Sequence, residues 1–382
     1  MKTIYLDNGA SSFPKAPGVG EAMQRYITDV GANINRGTYD SAAEAAETVL
    51  DTRTKLAKLF NFPGDESHVV FVPGATIGLN QILCGSLKAG DHVIVSSLEH
   101  NAVMRPLIFL QERDVSFSRI PANEEGISEA KDILPLIRPN TRLVMVSHAS
   151  NVCGSLFPLA ETAELCRQRD LPLAVDAAQT AGHINIDFSA LHLAALCVPG
   201  HKGLLGPQGI GALLLDKAFA ARLTPMFTGG TGSASDSEIQ PSYMPDKFES
   251  GTQNIPGIFG LHAALSFIEE TGVENLRAHE QSMTGLMLRG LKDMPLRVAG
   301  PTDPDKRVGV ISVDFQNMDN AEAAYRLENE YGILTRCGMH CAPSAHKTIN
   351  TFPQGTVRFS VGYKTSEEDI LLALEALKNI SN

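Results

Sequence analysis

The apolar positions of the chain follow two alternating periods from about residue 41 to residue 300. Residues 42–60 place Ala46, Val49, Leu50, Leu56, Leu59 and Phe60 at helical spacing, whereas Val69-Val70-Phe71-Val72 is a short unbroken apolar run of the kind that makes a buried strand. The turn Pro73-Gly74-Ala75-Thr76 follows, and a helix is predicted to open near Ile77. Similar runs predict strands at 92–95, 115–120, 142–147, 171–175, 193–198 and 210–215. Helical segments lie between several of them, such as 104–112 and 158–169, the latter entered through Pro158. Strands alternating with helices imply an α/β class with a mostly parallel, doubly wound sheet.

The grammar changes beyond residue 255. Helices are predicted at about 256–270 and 273–292, then a strand at 307–314, a helix at 319–331, a strand at 356–361 and a last helix at 366–380. Together they suggest a smaller α+β unit. Residues 228–256 are rich in Gly, Ser and Pro and read as a loop, and a loop of that length in a compact domain is functional or disordered.

Composition narrows the partners. The 382 residues suit two or three domains, and 43% hydrophobic with 20% charged residues is ordinary for a soluble globular chain. A net charge of −11 argues against nucleic acid or an anionic membrane surface as partner. The N-terminus carries Asp7 in its first apolar run and lacks a signal-peptide core, and no stretch reaches the roughly 18 apolar residues of a membrane span. A cytoplasmic protein is expected. Six cysteines in such a chain do not suggest a disulfide frame. Cys337, His340 and Cys341 lie close together, but no second pair with ligand spacing exists, so no metal is expected.

Polar residues fall just past the predicted strands, where open α/β sheets bind ligands. Gly74-Ala75-Thr76 at a helix start can cradle a phosphate, although taken alone it is also a glycine turn with Thr76 as N-cap. His100 could stack on a flat ring or shuttle protons, or be a satisfied loop histidine, and Asn151 alone reads as an Asx turn. Asp176 ends the apolar run 171–175, where a carboxylate needs a partner: a protonated pyridine nitrogen, or some Arg or Lys. Lys202 lies in Gly200-His201-Lys202-Gly203, about one strand–crossover–strand unit after Asp176. A poorly solvated lysine there loses its proton more readily and can form a Schiff base; otherwise it is a surface residue. Near the C-terminus, Arg336 and Arg358 offer forks for a carboxylate. Cys341, beside His340 and Arg336, is a candidate nucleophile or a small buried residue.

Taken in order, these pieces resemble the fold-type I pyridoxal-5'-phosphate (PLP) enzymes of the class V aminotransferase group, and within it the cysteine desulfurase/selenocysteine lyase branch. The resemblance runs from Tyr5-Leu6-Asp7-Asn8 to about Thr365. Its most specific pieces are Gly200-His201-Lys202, Val175-Asp176-Ala177-Ala178-Gln179, Glu249-Ser250-Gly251-Thr252 and Arg336-Cys337-Gly338-Met339-His340-Cys341. It implies a large PLP-binding domain (15–255) with a mostly parallel seven-stranded sheet, and a small α+β domain from 1–14 and 256–382. Lys202 would hold the cofactor and move the α-proton. Asp176 would pair with the pyridine nitrogen, Gln179 approach the phenolic oxygen and His100 stack on the ring. Ala75, Thr76 and His201 would hold the phosphate, with Thr252 reaching in from the second subunit of a homodimer. Asn151 and Arg358 would bind the substrate carboxylate, with Arg336 near Cys341, and Cys341 would take sulfur from L-cysteine and leave L-alanine. A sulfur-acceptor protein is then a possible partner.

The chain departs from the pattern at Pro199, where many desulfurases have a phosphate-binding Ser, and at Cys337, a second thiol that would resolve a persulfide or simply fill space. Other readings of the same cofactor site are a selenocysteine lyase, a cysteine-sulfinate desulfinase, a class V aminotransferase or epimerase, and a non-catalytic protein of this fold.

Overall fold

The structure, a computed structural model, describes residues 2–34 and 37–381. After the short strand β1 (Ile4–Tyr5), the strands of the main sheet are β2 (Val69–Val72), β3 (His92–Ser96), β4 (Ser116–Ile120), β5 (Thr141–Ser147), β6 (Leu173–Asp176), β7 (Ala195–Pro199) and β8 (Gly211–Leu215). They lie in the order β2-β8-β7-β6-β5-β3-β4. β8 runs antiparallel to both its neighbours, and the other pairs are parallel.

The unbroken apolar runs have a simple cause. Side chains alternate across a strand, and this sheet is covered on both faces. Phe71, Ile94, Val144, Val146, Val175, Leu196 and Val198 enter one core; Val70, Val93, Leu143, Met145, Ala174 and Cys197 enter the other. The helix Ala75–Ser86 starts two residues earlier than its periodicity predicts, and Asn101–Gln111 three residues earlier. Each opens on a polar or small residue, Ala75-Thr76 and Asn101-Ala102, which blurs the start in a hydrophobic pattern.

The second sheet contains β9 (Leu296–Ala299), β10 (Val310–Phe315), β12 (Arg336–Gly338) and β13 (Thr356–Ser360), in the antiparallel order β12-β13-β10-β9. The strand β11 (Ile333–Leu334) pairs in parallel with β1 and so brings the chain's start to this unit. A third core gathers Ile4 and Leu6 with Ile311, Val357, Phe359 and Leu377. The strand expected from 307 begins at Val310, because Arg307 turns inward and its guanidinium is fully buried on backbone carbonyls. β9, β12 and the helix Pro343–Thr348 give no readable period, being short and partly exposed. The helix Ile255–Thr271, assigned from sequence to the smaller unit, buries Ile258, Leu261 and Leu265 in the core of the large one. Residues 223–254 contain neither helix nor strand.

Candidate active site

β5, β6 and β7 all end at one edge of the main sheet, and their final residues are Ser147, Asp176 and Pro199. The loops beyond carry Asn151, Gln179 and Lys202. Two of these loops touch backbone to backbone. A Cβ at Gly182 would lie 2.3 Å from the Gly203 carbonyl, and one at Gly203 2.2 Å from that of Ala181, so glycine is what lets the Asp176 and Lys202 loops close together. From the second sheet, register places Arg336 on β12 directly across from Arg358 on β13. A cavity of about 460 Å³ results. It is lined by Ala75, Thr76, His100, Asn151, Asp176, Gln179, His201, Lys202, Arg336 and Arg358, with His340 also on its wall.

Ten of the twelve residues singled out from sequence thus share one wall. Cys341 is exposed beside this cavity, following His340, with its Sγ 3.9 Å from Arg336 Nη2. Thr252 is not at this cavity. It is exposed and lines a separate hollow with Leu50, Arg53, Gly230 and Glu249.

Burial sets the proton affinities. It lowers the Lys202 amine to about 8; Asp176 opposes that shift, and Arg358 and Arg336 add to it. Burial raises the Asp176 carboxyl, against the Ala178 N–H that donates to Oδ1 at 2.9 Å and against the Lys202 charge. His100 is lowered to about 4, chiefly by burial and then by Lys202, and its Nδ1 accepts from the Ala102 N–H at 3.0 Å. It is therefore a neutral ring, and it caps the helix Asn101–Gln111. Burial likewise lowers His201 to about 4.

Several polar atoms are left over. His201 Nδ1, His340 Nδ1 and Arg358 Nε are buried with no hydrogen-bond partner, and all three residues line the cavity. At the Ala75 end, the helix Ala75–Ser86 begins without a side-chain cap. Unpaired N–H groups and an imidazole at one end suit a phosphate, and Asp176 and Lys202 in the middle suit a pyridinium aldehyde. The residues present therefore fit PLP, although Pro199 supplies no donor to its phosphate.

Three features escaped the sequence reading. The Asn151 amide donates to the His340 carbonyl at 2.7 Å, so its side chain holds the cysteine segment as well as facing the cavity. Glu99 is fully buried and accepts from Ser96 Oγ at 2.6 Å, Ser147 N at 2.8 Å and Ser147 Oγ at 2.7 Å, tying the ends of β3 and β5 together. Burial raises its carboxyl to about 7. The only trace of it in the sequence is a charged residue beside His100. The third is Asp7, which accepts from Arg358 Nη2 at 2.7 Å. Among the described residues, no group of three His, Cys, Asp or Glu side chains could hold a metal ion, and no helix is long and apolar enough to cross a membrane.

The architecture and the lysine-centred cavity define a class. Residues 4–372 match the family described as Aminotransferase class-V, and the chain belongs to that family. Within it, several similar relatives are named cysteine desulfurase. A probable cysteine desulfurase of Methanothermobacter thermautotrophicus is 33% identical over 385 residues, covering 99% of this chain and 94% of that one. A cysteine desulfurase of Escherichia coli is 34% identical over 351 residues, covering 90% of this chain and 85% of that one. The apo structure of a cysteine desulfurase from Thermococcus onnurineus superposes with a TM-score of 0.93 at 28% identity, covering 99% of this chain and 94% of that one.

Proposed function

We propose that this chain is a PLP-dependent cysteine desulfurase that converts L-cysteine to L-alanine and receives the sulfur on Cys341 as a persulfide. One observation carries the reading. A lysine of lowered proton affinity, a buried carboxylate and two arginines line one cavity, and an exposed thiol stands at its edge, 3.9 Å from one of those arginines. A class V aminotransferase or epimerase needs the first three but has no use for the last.

The bound cofactor supplies an electron sink that makes the Cα proton acidic and the Cβ–S bond breakable. The chain's own residues do the rest. Burial raises the Asp176 carboxyl, with the Ala178 N–H and the Lys202 charge opposing it, so a cationic ring nitrogen would be its natural partner, and Asp176 would keep that nitrogen protonated. His100, a neutral imidazole on the cavity wall, would cover the ring, and Ala75, Thr76 and His201 would hold the phosphate. Gln179, whose amide donates to the Gly9 carbonyl at 3.0 Å, fixes the N-terminal segment beside the cavity and would approach the cofactor's phenolic oxygen. Arg358 and Asn151 orient the substrate by its α-carboxylate. Lys202 Nζ takes the α-proton. The Cys341 thiolate then attacks the substrate sulfur: an S–S bond forms, the Cβ–S bond breaks toward carbon, that carbon gains a proton to become the methyl group, and Lys202 returns a proton to Cα to complete alanine.

The exposed hollow around Thr252 supports a homodimer in which this residue completes the site of the second subunit, since within one chain Thr252 does not line the cavity that holds Lys202. The exposure of Cys341 supports onward transfer of sulfur to an acceptor protein or a small reductant. Cytoplasmic residence belongs to the same proposal, as does a two-unit division whose second boundary falls after Thr271 rather than at 255, because the helix Ile255–Thr271 packs in the core of the large unit. The test is product analysis with L-cysteine: alanine and sulfide should appear in equal amounts with a reductant present. Without it, sulfur should remain on the protein, and mass spectrometry should locate one added sulfur atom on the peptide containing Cys341. A 2-oxo acid product, with no alanine, would refute the desulfurase reading.

A further inference from the structure

The segment Tyr5-Leu6-Asp7-Asn8 opens the family resemblance, yet nothing in the reaction above uses Asp7. In the structure its carboxylate meets the arginine that is to receive the substrate. Arg358 Nη2 donates to Asp7 Oδ1 at 2.7 Å, with the Arg358 side chain 1% exposed and that of Asp7 21% exposed. Arg358 Nη1 donates to the Asn151 carbonyl at 3.1 Å. That leaves Nε–H, buried and without a partner, on a side chain that lines the cavity.

Two features show why this arrangement needs an anion. Arg336 stands directly across the ladder from Arg358, and like charges in facing positions repel. A guanidinium as buried as Arg358 is also costly unless it is paired. Lys202, on the cavity wall, adds a third positive charge. Asp7 answers these from the side of the N-terminal segment. It forms a parallel bridge with Ser360, two residues beyond Arg358 on β13, and the pairing of β1 with β11 delivers it there. The Gly9 N–H donates to Ser360 Oγ at 2.7 Å and the Asn8 amide to the Ser360 carbonyl at 3.0 Å, so the carboxylate stands on a pinned backbone.

We infer that Asp7 is a positioning residue: by holding Arg358 through Nη2, it keeps the guanidinium at the cavity wall for the substrate α-carboxylate. The inference rests on the desulfurase reading of the site, in which Arg358 receives that carboxylate. Asp7 touches no substrate and acts chiefly through Arg358, its charge being the smallest of the influences on the Lys202 amine. Its loss therefore weakens binding of any α-amino acid and leaves the chemistry at Lys202 and Cys341 alone.

The test compares the holoenzymes of Asp7→Ala, Asp7→Asn and Arg358→Ala with the native protein. Asp7→Ala should raise the KM for L-cysteine about tenfold, the scale of one lost charge-assisted hydrogen bond, with kcat within about twofold. Asp7→Asn, whose amide oxygen still accepts from Nη2, should recover most of the loss. Independently of turnover, the affinity for L-alanine, read from the absorbance of the bound cofactor during titration, should fall by the same factor in Asp7→Ala. Asp7→Ser is too short to reach Nη2, carries the same expectation, and replaces Asp7→Ala if that variant does not fold. If Arg358→Ala leaves KM unchanged, the carboxylate assignment itself falls. If Arg358→Ala is impaired while Asp7→Ala keeps native KM and alanine affinity, the inference about Asp7 is overturned alone. An Asp7→Asn as impaired as Asp7→Ala, or an Asp7→Ala whose loss lies in kcat, overturns it equally.

Discussion

Lys202 and Cys341 serve one cavity but are held in opposite ways. Lys202 follows the carboxyl end of a strand buried on both faces, and burial brings its amine down to about 8. Cys341 is exposed on a turn where it and His340 both have left-handed backbones, φ 58° and 46°. Such conformations cost a non-glycine residue about 1–2 kcal/mol each and persist only where the surroundings enforce them. Here the enforcement is visible: the Asn151 amide on the His340 carbonyl, the Asn101 N–H on the Cys341 carbonyl at 2.7 Å, and the His340 ring 3.1 Å from Thr356 Oγ1. In the proposed reaction the lysine end is shielded because its chemistry would need a tuned proton affinity. The cysteine end is open because sulfur would have to leave from it, and the clamp holds an exposed thiol in place.

If that division is right, variants at the two ends should fail differently. The largest effects come from Lys202→Ala and Cys341→Ser. Lys202→Ala should lose the borohydride-reducible link to the cofactor and about 10²–10⁴ of its rate, the usual worth of a positioned proton-transfer group. A retained covalent link, seen by intact mass after reduction, would break the assignment. Cys341→Ser should abolish sulfur release yet keep the cofactor spectrum of the native protein; turnover at the native rate would make Cys341 structural.

Arg358→Ala tests both ends, because in the proposed reaction Arg358 would face the substrate between them. It should raise the KM for amino acids by about tenfold or more with a smaller change in kcat. Proton affinity sharpens the lysine end further. Only the neutral amine can bond to the cofactor's aldehyde, and the lowered value means the amine is half deprotonated at about pH 8 and largely neutral one unit higher. For cofactor-free protein, the rate of covalent uptake should thus rise about tenfold per pH unit up to about 8 and then level off. A rise that continues past pH 10 would show an amine with ordinary solvation. The smallest effect is expected at Cys337. It is next to cavity-lining Arg336 on β12, so alternation points it to the other face, where Asp319 adds to the burial that raises its thiol. Cys337→Ala should keep desulfuration within about twofold; a large loss of persulfide transfer in single-turnover assays would give it a role.

Much of the lysine end was legible before folding. Val175-Asp176 and Pro199-Gly200-His201-Lys202 advertise themselves because a buried strand is a conspicuous apolar run and its carboxyl end is where polar residues must appear. The cysteine end was legible only as a motif. β12 has three residues, the left-handed turn at 340–341 leaves no compositional mark, and Asn101, Asn151 and Thr356 are far away in the chain. Glu99 and Asp7 were unreadable for the same reason, since the significance of each lies entirely in its partners.

What the amino-acid order determined alone is the alternation of elements, the edge of the sheet where chemistry collects and the identity of the reactive groups, because hydrophobic period and residue type are local properties. Tertiary structure decided the rest. It set Arg336 opposite Arg358, brought Asp7 from the chain's start to neutralise that pair, and pinned Cys341 beside the cavity while leaving Thr252 on an outer surface. These contacts join residues as many as 351 positions apart, and their energies depend on distance and burial, which exist only once the chain has closed on itself.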